Sequence, residues 1–220
     1  MSNLYGEGHR LFQDQHDTRR LADRLEMMAH AEFDEKDREF IGQAAMFFLA
    51  TVDEHGMPTV SYKGGQPGFV SIVSPNQLLF PAYDGNGMFL SLGNLATTRN
   101  VGLLFIDFER PRRLRVQGTA QLTPNLAYAT LYPGAQHLIT VTVSNLFVNC
   151  GRYIHKARDM SLSPHVPDAQ GHQPFPLWKR IEQIADSLND RDREAVAQHG
   201  GTIGFESYVG EDEPGAVPRQ

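Results

Sequence analysis

One cysteine, Cys150, stands among 220 residues. It cannot close an intrachain disulfide, and a dithiol redox pair would need a second thiol. Positive charge is short as well. Acidic side chains number 26 against 20 basic ones, a formal net charge of −6, which argues against a general nucleic-acid binder, whose affinity comes from Lys and Arg on phosphates. No apolar run approaches the roughly 20 residues of a membrane helix. The first residues, Glu7, His9, Arg10 and Asp14 among them, lack the apolar centre of a secretion signal. A soluble, cytoplasmic protein with no nucleic-acid and no membrane partner is expected. Familiar catalytic signatures are missing too. There is no His-Glu-x-x-His and no pair of Cys or His at metal spacing, so no metal site is expected. There is no Gly-x-Ser-x-Gly elbow and no Walker lysine, and the Gly-x-Gly at 85–87 lacks the third glycine and the βαβ setting of a dinucleotide fold.

What is present is a change of period along the chain. Residues 18–30, "TRRLADRLEMMAH", put Leu21, Ala22, Leu25, Met28 and Ala29 on one helical face and Arg19, Arg20, Asp23 and Glu26 on the other. A second start signal follows at "FDEKDREFIGQA". There Asp34 can cap free amides, Glu35 and Asp37 suit the first turn, and Phe40 and Ile41 turn inward. After Gly42 the pattern becomes that of short strands: "MFFLATVD" (46–53), "TVSYKGG", "GFVSIV", "LLFPAY" (78–83), the apolar run ending "VGLLFIDF", "RLRVQGTAQLT" (113–123) and "HLITVTVSNLFV" (137–148). Glycine and proline turns separate them, and the last alternates Ile139, Val141 and Val143 with Thr140, Thr142 and Ser144. Short strands at close spacing describe an antiparallel sheet closed into a barrel, interrupted by one helix after Gly87. Beyond it, 161–176 is Pro-rich and irregular, 177–188 ("LWKRIEQIADSL") has the pattern of an amphipathic helix, and the last twenty residues read as a mobile tail or an arm on a partner.

Four stretches could carry chemistry. Asp84-Gly85-Asn86-Gly87 permits left-handed backbone angles, so successive amides can converge on one anion, and a helix begun at Met88 would aim its free N–H groups the same way, with Ser91 adding a hydroxyl. A bare hairpin-like turn is the alternative. In "RPRRLR" (110–115), strand parity puts Arg113 and Arg115 on one face, where two guanidiniums want a carboxylate or a phosphate; a solvated edge strand is the other reading. Tyr62 and Lys63 fall at a strand end before a sharp turn, from which the lysine can reach a ligand or simply solvent. Finally "NCGRYIHK" (149–156) packs Asn149, Cys150, Arg152, Tyr153, His155 and Lys156 into eight positions, for capping or for binding.

In this order, "MFFLATVDEHGMPTVSYKGGQPGFVSIV", "YDGNGMFLSLGNL", "VGLLFIDFERPRRLRVQGTAQL" and "NCGRYIHK" resemble the pyridoxamine 5'-phosphate oxidase-like, FMN-binding split-barrel family, over roughly residues 40–156. The resemblance implies a mainly β fold with flanking helices, a six-stranded antiparallel split β-barrel over 39–160. A helical extension (1–38) would precede it, and an irregular segment, helix and tail (161–220) would follow. It implies FMN at the interface of a homodimer, a small-molecule substrate and flavin-dependent oxidoreductase chemistry. Val60 and Ser61 match the strand whose backbone lies along the flavin's polar edge, with Tyr62 beside them as a further cofactor-binding candidate, and Lys63 matches a strand-end lysine that points toward substrate. Asn86, Gly87, Met88 and Ser91 match the phosphate-holding segment, and Arg113 a polar strand position that contacts the cofactor. Asn149 and Cys150 lie near a polar pair supplied by the second subunit, and Trp178 corresponds to a C-terminal tryptophan near the flavin. The pattern departs where true vitamin oxidases carry Ser-Arg-Lys to grip the FMN phosphate, because "GMF" stands there. The gripping charge is then expected from Arg113, Arg115 or Arg152. No catalytic residue is fixed; Lys63 and His155 are the candidates for orienting substrate or donating a proton. A haem or deazaflavin protein, or a non-catalytic flavin sensor, would use the same barrel.

Overall fold

A computed structural model of the chain describes residues 4–123, 130–157 and 160–210. Seven strands form one antiparallel sheet: β1 (Met46–Val52), β2 (Pro58–Gly64), β3 (Ser71–Ser74), β4 (Gln77–Ala82), β5 (Asn100–Asp107), β6 (Arg112–Leu122) and β7 (His137–Asn149). The sheet order is β2-β1-β5-β6-β7-β4-β3. Each strand grows from one of the seven segments read above. The count exceeds the six of the family pattern by the four-residue β3, which pairs only with β4.

The sheet is rolled. β1 and β4 are four ladder steps apart, about 19 Å in a flat sheet, yet the Phe47 and Phe80 rings meet edge to face at 5.0 Å. Phe105 and Phe69 complete the cluster at 5.1 and 5.8 Å from Phe47. The two outermost strands, β2 and β3, are not neighbours in the sheet, so the cylinder is split along that seam. Inside lie alternate residues of the central strands, fully buried: Phe47 and Leu49, Leu103 and Phe105, Leu114 and Val116, Ile139 and Val141. The longest ladder, β6 with β7, shifts register between Gln117 and Gly118. A Cβ at Gly118 would lie 2.1 Å from the Thr142 carbonyl oxygen, so no other residue fits that close approach.

Helices close the ends. α3 (Glu35–Gln43) starts as expected, with the Asp37 N–H donating to the Asp34 carboxylate at 2.9 Å, and it buries Ile41 in the barrel core. α4 (Leu90–Thr97) follows β4 and begins at Leu90 rather than Met88, because Phe89 takes a left-handed conformation, φ 50°, ahead of it. It is pinned to the barrel by Leu95 in the core and by the Asn94 amide donating to the Thr51 hydroxyl at 2.9 Å.

Two expectations from periodicity change. α1 (Glu7–Gln15) and α2 (Arg19–Met27) form a hairpin, but of α2's apolar face Ala22 alone is buried, while Leu21, Leu25 and Met28 are 58, 45 and 72% exposed. Arg10 of α1 pairs with Asp23 and Glu26 at 2.5 and 3.0 Å, so the charged face of α2 turns to its neighbour and the apolar stripe is left outside. At 177–188 one helix gives way to two short 3₁₀ turns, Leu177–Arg180 and Glu182–Ser187. Between them Ile181 is extended and makes a parallel bridge with Ile203, a tertiary contact that overrides the helical pattern. α5 (Asp190–Gln198) and α6 (Phe205–Gly210) follow, so the start of the expected tail is helical; 211–220 lie outside the described residues. No helix among the described residues is long and apolar enough to cross a membrane.

The N-terminal arm is tied on by His30, whose backbone bridges Leu146 of β7 and whose Nε2 lies 2.7 Å from Asp37 Oδ2. His30, Asp34 and Asp37 bring ligand-type atoms within 4.8 Å of one another, but both carboxylates already serve the helix cap. Burial opposes charge on the ring and is the largest single influence, but the hydrogen bonds to Asp37 and the Met28 carbonyl, with the Asp37 and Asp34 charges, together raise the His30 pKa above its ordinary 6.5. A raised folded-state pKa contributes in full below the unfolded value and fades as pH rises through the folded one. His30→Gln is therefore expected to cost on the order of 1 kcal/mol in urea unfolding near pH 5.5, discounted for partial solvent exposure, and much less near pH 9. A cost independent of pH would remove the ion pair from the account.

Candidate functional site

The loop from β4 to α4 crosses the open end of β2 and builds a cradle. Strand parity decides which β2 side chains face it. Ser61 and Lys63 are opposite Leu49 and Phe47, so both share the inward face, whereas Val60 and Tyr62 point outward and are 66 and 61% exposed. Ser61, Lys63, Gly87, Met88, Phe89 and Ser91 line an open cavity of about 190 Å³, with Asn86 on its wall. Gly87 has φ 76°, which a side-chain-bearing residue rarely adopts. The Asn86 carboxamide oxygen accepts from the Met88 N–H at 3.1 Å and fixes the turn.

Three kinds of donor converge there. The first amides of α4 have no intrahelical acceptor, and Phe89 at the cap offers no side-chain oxygen to satisfy them. The Ser91 hydroxyl is buried and hydrogen-bonded to that of Ser61 at 2.9 Å. Lys63 supplies charge: it has no acid partner among the described residues, and burial drives its pKa below that of an ordinary lysine. An uncompensated half-buried ammonium beside free amides at a helix start suits an oxyanion. The chain's own side chains leave the space open, so the donor set fits the terminal phosphate of a mononucleotide. Lys63 is the one basic side chain among this cavity's lining residues, and no arginine is among them.

The arginines lie elsewhere on the chain. Arg113 and Arg115 are half-buried on the outer face of β6, opposite Asn149 and Phe147 of β7. Arg113 Nε and Asn149 Oδ1 are both buried without a hydrogen-bond partner. Burial, and then the Arg113 charge, depress the Arg115 pKa. Cys150 is exposed, and its thiol pKa is lowered chiefly by the Arg152 backbone N–H, with the Arg152 and Arg113 charges adding to it. Arg152 and His155 are exposed on the irregular chain after β7. Cradle and arginine cluster are thus two separate sets in one chain. Trp178 belongs to neither; it lines an adjoining cleft of about 240 Å³ with Tyr83, Asp84 and Gly85 of the cradle's stem.

Several cavity residues escape sequence reasoning. Phe89 is there through its left-handed backbone, which its identity does not advertise. Tyr83 and Gln136 also line the wall, and Gln136 is delivered by the loop before β7.

Residues 33–143 match the family model of pyridoxamine 5'-phosphate oxidase. No curated protein matches the chain. Among solved structures it is similar to HupZ of Group A Streptococcus, at 16% identity, covering 57% of this chain and 99% of that one with a TM-score of 0.45. It is similar also to the haem storage protein HutZ of Vibrio cholerae, at 21% identity, covering 53% and 94% with a TM-score of 0.39. A third is a Clostridium acetobutylicum protein related to general stress protein 26 of the pyridoxinephosphate oxidase family, at 15% identity, covering 53% and 90% with a TM-score of 0.39.

Inorganic phosphate titrated into the cofactor-free protein by calorimetry should bind more weakly as pH rises through the depressed Lys63 pKa, since the cation is lost there while the amides are unchanged. Lys63→Met should weaken phosphate binding about ten- to hundredfold and flatten that pH dependence. Equal affinity in the variant would take Lys63 out of the anion site.

Proposed function

The chain belongs to the pyridoxamine 5'-phosphate oxidase family, and from that premise we propose that it is an FMN-binding oxidoreductase of a small molecule, acting as a homodimer with the cofactor between subunits. The observation that carries this reading is the division of binding chemistry within one chain. A phosphate cradle with one lysine occupies one face, and Arg113 and Arg115, with no acidic partner among the described residues and an orphaned Arg113 Nε, occupy another. A two-fold axis uses one patch on both subunits, so it can bring each subunit's arginine face to the other's cradle. The cradle alone, at about 190 Å³, is below the roughly 300 Å³ at which ligand pockets begin; a second subunit supplies the missing wall. Exposed Val60, Tyr62, Met88, Phe89 and Leu90 flank the cradle and offer the apolar surface such a contact needs.

When bound, FMN supplies the hydride or electron transfer. The chain's own residues then bind, orient and exclude water. The α4 amides, Ser91 and Lys63 hold phosphate, and the β2 edge presents backbone donors and acceptors to a ring's polar rim. His155 is outside its own chain's cavity, so any proton it donates has to reach the partner's site. The departure from the true vitamin oxidases at "GMF" is the ground on which we read the substrate as other than the vitamin phosphate that names the family.

Purified protein should be yellow and release FMN on denaturation; colourless protein that takes up no added FMN overturns the reading, and a Soret band after haem titration would replace it. Arg113→Ala should weaken FMN binding by about 1.5–3 kcal/mol while light scattering still reports a dimer. In mixed dimers of Lys63→Met with Arg113→Ala chains, one of the two sites should regain wild-type affinity, because the lysine and arginine of one site come from different chains. If no site recovers, the arginines do not act across an interface.

A further inference from the structure

The cradle's stem is held from the far end of the chain. Asp84 precedes the glycine turn, and both its oxygens are engaged: Oδ1 accepts from Gln136 Nε2 at 2.8 Å and Oδ2 from Lys179 Nζ at 2.7 Å. Lys179 comes from the first 3₁₀ turn, 95 residues downstream, and is 5% exposed. Its ammonium also donates to Asp192 Oδ1 at 2.9 Å, in the first turn of α5, and lies 5.8 Å from the Trp178 ring centroid. One buried cation thus joins the C-terminal segment, α5 and the loop that forms the anion site.

A buried ion pair is a poor device for stability alone, because desolvation cancels most of the attraction and an apolar contact would do as well. Its geometry is specific, however. Removing the ammonium would leave the Asp84 and Asp192 carboxylates, 34 and 21% exposed, around an uncompensated gap, and their repulsion would drive Asp84 outward with Gly85, Asn86 and Gly87. Gln136, which lines the cradle cavity and also a second cleft together with Asp84, Lys179 and Asp192, is the remaining tie.

We propose that Lys179 is a positioning residue for the anion cradle: through Asp84 it sets the 85–89 turn, and so lets the C-terminal segment control the affinity of the site. The proposal rests on the cradle being the ligand site, but it can be tested without any ligand. In hydrogen exchange on the full-length, cofactor-free protein, Lys179→Met should speed exchange of the Met88 and Gly93 amides, whose bonds to Asn86 and Phe89 hold the turn onto α4, at least about tenfold, while β5 and β6 amides keep wild-type rates. Adding Asp192→Asn should return most of the protection, since the repelling charge is gone. A purely structural lysine would instead make the double variant worse. Asp192→Asn alone leaves the Asp84–Lys179 contact and should leave the turn unchanged; accelerated exchange of the turn in that variant overturns the proposal even if Lys179→Met folds poorly. Unchanged Met88 and Gly93 exchange in Lys179→Met, uniform acceleration across the barrel, or additive loss in the double variant overturns the proposal. FMN titration of the wild-type protein is the separate arm: failure there with the exchange result intact removes the flavin and keeps the clamp.

Discussion

Rolling the sheet until Phe47 on β1 meets Phe80 on β4 is the constraint from which the rest of the architecture follows. Closure of this kind consumes the inward side chains of five strands in one core and leaves a seam between β2 and β3. At that seam the chain leaves β4, must return across the mouth, and does so as α4. The helix is anchored by Leu95 in the core and by Asn94 and Ser91 on β1 and β2 hydroxyls, so its start is held against the inward face of β2. Free helix amides, two serine hydroxyls and Lys63 are thereby placed around one small volume.

Charge distribution follows from strand parity. Lys63 shares a face with Phe47 and so points toward the barrel mouth, whereas Arg113 and Arg115 alternate with Leu114 and Val116 and must face outward. Lys63 and the two strand arginines therefore lie on opposite faces of the sheet, without an acidic partner among the described residues. The same parity leaves Tyr62 and Val60 exposed beside the cradle. Unpaired cations next to exposed apolar surface are costly in a monomer and sensible in an assembly, which is why the flavin reading and the homodimer reading stand together.

The C-terminal segment is tied to the loop before α4 through Lys179 and Asp84. Lys179 is drawn inward by two carboxylates, and Ile181 is drawn into a bridge with Ile203, so the amphipathic pattern of 177–188 is broken into short turns. Tertiary partners with good geometry override helix periodicity in a segment too short to hold itself.

By itself the sequence determined the strands, because alternation at Phe47 and Leu49 or at Leu114 and Val116 has one face that can be buried; it determined the cap at Asp34 and the turn at Gly87 for equally local reasons. It carried the family pattern, and with it the split barrel and the stretch that forms the cradle. Only the tertiary structure decided which charged side chains share a cavity, since residues on one strand differ by face and residues on different strands differ by register. It also decided that α2 turns its charged face to Arg10, that α4 waits until Leu90, and that Asp84 and Lys179 meet across 95 residues. Those outcomes depend on distances between elements, and local periodicity contains no information about them.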